Sequence, residues 1–144
     1  MIRKAAAYAS MDRYTSAAEA SPYHLINMLF DGAIERIQLA KGAMSRNEIA
    51  NKGTHISKAI TIVDGLRAHL DMDKGGDIAT NLRDLYNFVE LTLFEANINN
   101  QSQQLDSALQ VLTTLQSGWA EIAPKPASQD STTDSSTDSV SFDA

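Results

Sequence analysis

Residues 70–97, LDMDKGGDIATNLRDLYNFVELTLFEAN, join a Gly-Gly break to a run whose apolar side chains fall on two opposite faces of a helix. At about 100° per residue, Ile78, Leu82, Leu85, Val89 and Ala96 gather on one side, the stripe that a helix turns towards a core. Leu91, Phe94 and Ile98 fall on the far side. A helix with two apolar faces requires two partners.

Working outward, punctuation marks four helical segments. Ser21-Pro22 opens the first, since serine is a good N-cap and proline suits the first helical position; it runs to about Met44. Asn47 is placed to cap the second, in which Ile49, Ile56, Val63 and Leu70 repeat every seven positions with Ala59, Ile60 and Leu66 between them, a packing seam. Lys74-Gly75-Gly76 ends that hairpin, with Gly75 and Gly76 shaping the turn, and Asp77 caps the third helix. Asn99 to Ser102 turn the chain into the fourth, where Leu105, Leu112 and Trp119 occupy one heptad position and Ala108, Leu115 and Ile122 another. Helices of roughly 20 residues on short connections pack antiparallel, so the fold expected is all-α, an up-down-up-down four-helix bundle about 30 Å long.

Three segments follow: an alanine-rich stretch over 1–20, the bundle over 21–123, and a Ser/Thr/Asp tail over 124–144. The 144 residues suit one domain, and 43% hydrophobic content with 21% charged residues suits a soluble globular core. The net charge of −6 divides as +3 and −2 in 1–20, +8 and −12 in 21–123, and +1 and −4 in 124–144. No segment is basic enough to follow a phosphate backbone, so nucleic acid is not expected as a partner. The tail holds only Val140 and Phe142 as sizeable apolar groups, too few to offset ordering entropy, and reads as disordered. Asp12 and Arg13 interrupt the N-terminal alanines before they reach signal-peptide length, and no apolar run nears the ~20 residues of a membrane span. A cytoplasmic protein without membrane insertion is the expectation.

Catalytic and metal chemistry find no foothold. Zero cysteines remove disulfides, thiolate metal sites and thiol nucleophiles. Asp71, Asp73, Gly76 and Asp77 imitate the start of a calcium loop, but with Asp71 first the twelfth position is Leu82, where a carboxylate must ligate; a capped helix-helix turn fits better. His24, His55 and His69 form no HExxH and no Glu-x-x-His, and His55 and His69 stand about 21 Å apart along one helix. There is no P-loop, dinucleotide fingerprint or GxSxG elbow. Asp31 and Glu35 at i, i+4 read as solvated charges. The expectation is no enzyme and no cofactor.

The first helix repeats the excess of the third: its apolar residues from Leu25 to Met44 cover roughly 240° of arc where a single buried face needs a little over 100°. Either this helix is central, touching several neighbours, or part of the excess lines an open groove, and large exposed apolar patches mark interaction sites suited to an amphipathic helix. Ile26 and Phe30, with Leu91, Phe94 and Ile98, are the candidate partner-binding residues. Residues 1–20, with Tyr8 and Tyr14, could fold back as a removable lid. Arg36 sits within the apolar arc, where it snorkels or pairs with a carboxylate.

The Asp71–Gly76 turn, Asn81-Leu82 with Leu85-Tyr86, Glu95-Ala96-Asn97, and Ala20-Ser21-Pro22-Tyr23 through Leu25-Ile26, Met28-Leu29 and Asp31-Gly32-Ala33 resemble the FliS family of flagellin export chaperones. Tyr8 stands at that family's N-terminal tyrosine and Trp119 near its last aromatic. The resemblance spans about residues 8–122. It implies an antiparallel bundle that holds the C-terminal helical region of flagellin in the cytosol, prevents early polymerisation and keeps it ready for type III export, with the flagellar export gate a further partner. It also implies that the N-terminal segment, Tyr8 included, covers part of the client surface when flagellin is absent. The Arg13–Ala20 region departs from the pattern, and the acidic tail is unexplained by it. Self-association of the extra apolar stripes, as a homodimer or larger bundle, is the alternative, as is service to another helical client.

Overall fold

The computed structural model describes residues 21–121, which form four helices: α1 (Pro22–Ser45), α2 (Ile49–Ala68), α3 (Met72–Asn99) and α4 (Ser102–Glu121). Tyr8, Tyr14, Ile122 and the acidic tail lie outside the described residues. Each helix packs on two neighbours in ring order, α1 on α2, α2 on α3, α3 on α4 and α4 on α1, with no diagonal contact. Cross-links show the alternation of direction. Gln116 near the end of α4 donates to Asp31 Oδ1 near the start of α1 at 2.6 Å, while Lys41 near the end of α1 pairs with Asp106 near the start of α4.

The core is the inner stripe of all four helices. Phe30, Ile37, Ile56, Val63, Leu66, Val89, Leu93, Leu105 and Leu112 are the largest fully buried side chains, brought inward by the 3.6-residue repeat. α1 packs on α2 at Gly32, where an added Cβ would stand 3.4 Å from Ile62 Cδ1.

The helix ends differ in detail from expectation. Proline does stand at the start of α1, but the Ser21 hydroxyl makes no capping bond. Asn47 is not the cap of α2; it takes the left-handed φ of 59° just beyond α1, while its N–H donates to Met44 O and that of Glu48 to Ala43 O at 2.9 Å. That is a Schellman closure, which favours asparagine after glycine. Glu48 holds the N-cap position of α2 without a side-chain bond. Ile49, placed on the heptad seam by spacing, is 58% exposed because the seam begins only one turn inward.

The second turn also moves. Asp71, not Asp77, caps α3, its carboxylate accepting from Lys74 N at 2.9 Å, so the hairpin closes at residues 69–71 and Lys74-Gly75-Gly76 already belong to α3. Gly76 then breaks that helix with φ 53° and ψ −130°, a combination open essentially only to glycine. At the far end Asn100 adopts φ 53° and Gln101 N donates back to Ala96 O at 3.1 Å, another left-handed closure.

Lys52 fastens that closure. Only 4% exposed, it sends its ammonium into the C-terminus of α3, donating to Asn97 O at 3.0 Å and Asn100 Oδ1 at 3.2 Å. A cation placed where a helix presents unpaired carbonyls is favoured by the macrodipole.

Candidate functional site

Among the described residues two groups of apolar side chains stand out at the surface, on different parts of the bundle. The first is the outer face of α3. Phe88, Leu91, Phe94 and Ile98 are 48%, 56%, 54% and 65% exposed, and on a helical projection they lie opposite the buried Tyr86, Val89, Leu93 and Ala96. They run along about 15 Å of helix. Asp84 and Glu95 are exposed among them, Glu95 held by Gln104 Nε2 at 3.2 Å. At the border with α2, Arg67 donates to Asn87 Oδ1 at 2.8 Å and to Glu90 Oε2 at 2.9 Å, and exposed Arg83 pairs with Asp84 at 3.6 Å, so charges of both signs rim the face.

The second is an apolar cleft of about 400 Å³ at the end of the bundle where α1 begins and α4 ends. Ile26 and Phe30 of α1, Ile78, Leu82 and Tyr86 of α3, and Leu115 and Trp119 of α4 line it, with His69 and Leu70 at the α2–α3 turn. Trp119 stacks on Tyr23 with ring centroids 5.3 Å apart and planes 6° from parallel, and its indole N–H donates to Tyr23 O at 3.3 Å. His69 donates from Nδ1 to Gly65 O at 2.8 Å, fixing the ring at the rim. Tyr86 stands with its phenol desolvated beside the cleft, which pushes its pKa up to about 12 and keeps it neutral.

The expected binding stripe is therefore divided. Leu91, Phe94 and Ile98 do form one exposed surface, joined by Phe88, which shares their angular sector and could have been found from it. Phe30 does not belong there: at 2% exposed it is core, because α1 is flanked by both α2 and α4 and spends its wide apolar arc on two seams. Ile26, half-buried one turn earlier, borders the cleft instead. Two residues assigned to the core stripe of α3 are outside it. Ile78 is 71% and Leu85 38% exposed, since α3 has just left its Gly76 break and Ile78 borders the cleft rather than a packed neighbour. Gly76 shapes a kink in α3 rather than the turn between helices.

Among the described residues Arg36 pairs with no carboxylate; its Nη1 donates to His55 Nδ1 at 3.1 Å. Desolvation, then the charges of Arg36 and Lys58, hold the His55 pKa below its usual value. Among the described residues no three His, Cys, Asp or Glu side chains gather as a metal site, and no helix is long and apolar enough to cross a membrane.

The sequence matches the family model described as flagellar protein FliS over residues 4–126. It is 40% identical over 126 residues to the flagellar secretion chaperone FliS of Salmonella typhimurium, covering 87% of this chain and 93% of that one. It is likewise 40% identical over 116 residues to the flagellar secretion chaperone FliSB of Pseudomonas aeruginosa, covering 81% and 92%, and 31% identical over 121 residues to the Escherichia coli FliS, covering 83% and 89%. A four-helix bundle with an unpartnered apolar face and end cleft, matched almost end to end by these proteins, belongs to the FliS family of flagellar secretion chaperones.

Proposed function

We propose that this protein binds the C-terminal helical region of flagellin, keeps it from polymerising before export and presents it to the flagellar type III apparatus from the cytoplasm. The observation that carries this reading is the outer face of α3, where four large apolar side chains stand exposed opposite an equally apolar buried face. An amphipathic helix laid along that face covers it through side chains at i, i+3, i+4 and i+7. Recognition requires no covalent step and no cofactor; it exchanges apolar surface of client and chaperone for water.

The cleft supplies the switch. Chain residues 1–20 join α1 at Ser21, beside Tyr23 and Trp119, so Tyr8 is within reach of an apolar cavity of about 400 Å³. Tyr8 acts as a removable lid that holds the cleft until the client displaces it, and the uncovered end is then available to the export gate.

Calorimetric titration with a flagellin C-terminal helical peptide tests this, on the full-length chain and on a version lacking residues 1–20. Binding by both, tighter without the N-terminus, supports chaperone and lid together. A folded protein that binds the peptide in neither form removes flagellin as client. Sedimentation of the free chain addresses the remaining reading, self-association through α3.

A further inference from the structure

Gly76 divides α3 into two unequal pieces. Ahead of it stands a single turn that closes on itself: the Asp71 carboxylate accepts from Lys74 N at 2.9 Å, and Gly75 N donates to Asp71 O at 2.8 Å. Asp71, Met72, Asp73 and Lys74 are all exposed. The turn meets the longer piece of α3 at Gly75, where an added Cβ would stand 2.6 Å from the Cβ of buried Ala79. A seat made by a glycine and an alanine buries little apolar area, so lifting the turn from it costs little. The pivot is already built, since Gly76 holds φ 53° and ψ −130° and glycine alone passes freely between such values and helical ones. Leu70, just before the turn, and Ile78, just after the pivot, both line the end cleft. Phe30 and Tyr86 line it as well, yet they are only 2% and 4% exposed. The turn therefore joins two walls of a cleft whose floor solvent barely reaches.

We propose that the turn over residues 71–75 is a hinged gate on the end cleft. It swings about Gly76 off Ala79, Leu70 and Ile78 move apart, and the floor of Phe30 and Tyr86 opens to a large apolar or aromatic side chain. A deep pocket of this kind is a minor conformation that its occupant makes dominant, and by the same linkage the gate sets how tightly the occupant is held. The gate belongs to the cleft whatever enters it, so a client titration that fails leaves it standing. A helix terminus that merely frays is different: it loosens residues 71–74 and leaves the walls of the cleft still.

The test is NMR relaxation dispersion on the full-length chain without client, a method that reads microsecond-to-millisecond exchange. The Leu70 and Ile78 methyls, the Tyr86 ring and the indole of Trp119, the one tryptophan of the chain, are expected to exchange at a single rate shared with the Lys74 and Gly75 amides. Gly75→Ala drives a methyl into Ala79 and raises the open population about tenfold, as an overpacked contact does. The cleft resonances then move towards the minor-state positions measured in the parent, while the Val89 and Leu93 amides stay protected. Gly76→Ala, whose Cβ meets open space but whose left-handed φ is strained, moves the same resonances the same way and replaces Gly75→Ala should that variant fail to fold. Cleft walls that show no exchange, or that stay unmoved in a folded variant, overturn the proposal. Wall exchange at a rate unrelated to the turn, the signature of a departing lid segment, overturns it as well.

Discussion

Phe30 and Phe94 are both apolar aromatic residues of helices with excess hydrophobic surface, and the structure gives them opposite roles that a paired experiment separates. Phe94 exposes 54% of its surface; for a side chain able to bury about 200 Å², a client covering it removes roughly 110 Å² from water, about 2.7 kcal/mol at 25 cal/mol/Å². Truncation to alanine then weakens client binding about 100-fold, and Phe94→Asp weakens it further by burying a charge under the client. Neither change touches the core, so the stability effect stays within about 0.5 kcal/mol. Phe30 is 2% exposed, and Phe30→Ala leaves a cavity beside the end cleft at a cost of about 3–5 kcal/mol, a fall of roughly 15–30 °C in Tm for a domain of this size. Differential scanning calorimetry and peptide titration on the same samples give both quantities. If Phe94→Asp unfolds the protein, α3 packs through its outer face and the site assignment fails; if it leaves client affinity unchanged on a folded bundle, the α3 face is not the client surface.

Three further outcomes follow from the geometry. Gly76→Ala places a Cβ in open space but holds a left-handed φ of 53° with ψ −130°, a backbone strain of about 1–3 kcal/mol; hydrogen exchange over residues 72–76 should accelerate while the core amides of α3 remain protected, and uniform acceleration would show that the break is integral to the global fold. Lys52→Met removes the ammonium from Asn97 O and Asn100 Oδ1; lost charge-assisted bonds of about 1.5–3 kcal/mol each, partly offset by relief of cation desolvation, leave roughly 2 kcal/mol of destabilisation in urea unfolding, and an unchanged midpoint would refute the capping role. The His55 pKa is lowered in the fold, so as pH falls below about 6.5 the unfolded chain takes its proton first. Stability is accordingly full above that value and declines with acidification, and His55→Gln should flatten that part of the pH profile; an identical slope in the variant would place the loss elsewhere.

The helices were legible because each is announced by local chemistry: Pro22 at a first turn, the Asn-Asn pair after α3, and heptads in α4 whose Leu105, Ala108 and Leu112 are buried as spaced. The two-faced character of α3 was legible for the same reason, since Leu91, Phe94 and Ile98 differ from Val89 and Ala96 by angle alone. Turn chemistry was harder to read, because one asparagine suits two roles: Asn47 can cap a following helix or close a preceding one in the left-handed region, and only the path of the chain decides.

Angle also fails where the bundle ends. Ile78 points in the same direction around α3 as Ala96, yet Ala96 is fully buried and Ile78 is 71% exposed. The difference is axial position: at Ala96 the neighbouring helices close around α3, while at Ile78 they stand apart around a cleft of about 400 Å³. A periodic pattern reports which side of a helix is apolar and carries no information about whether a neighbour is present at that height. The same limit accounts for Phe30, whose angle lay in an arc too wide for one seam; a second neighbour, α4, consumed the surplus. Excess apolar surface in such a sequence is therefore evidence for a site only where the folded helix leaves it exposed. α1 and α3 each have two neighbours, but Phe30 of α1 is buried between them while Phe88, Leu91, Phe94 and Ile98 of α3 stay about half exposed, so the weight of the client-binding argument rests on α3.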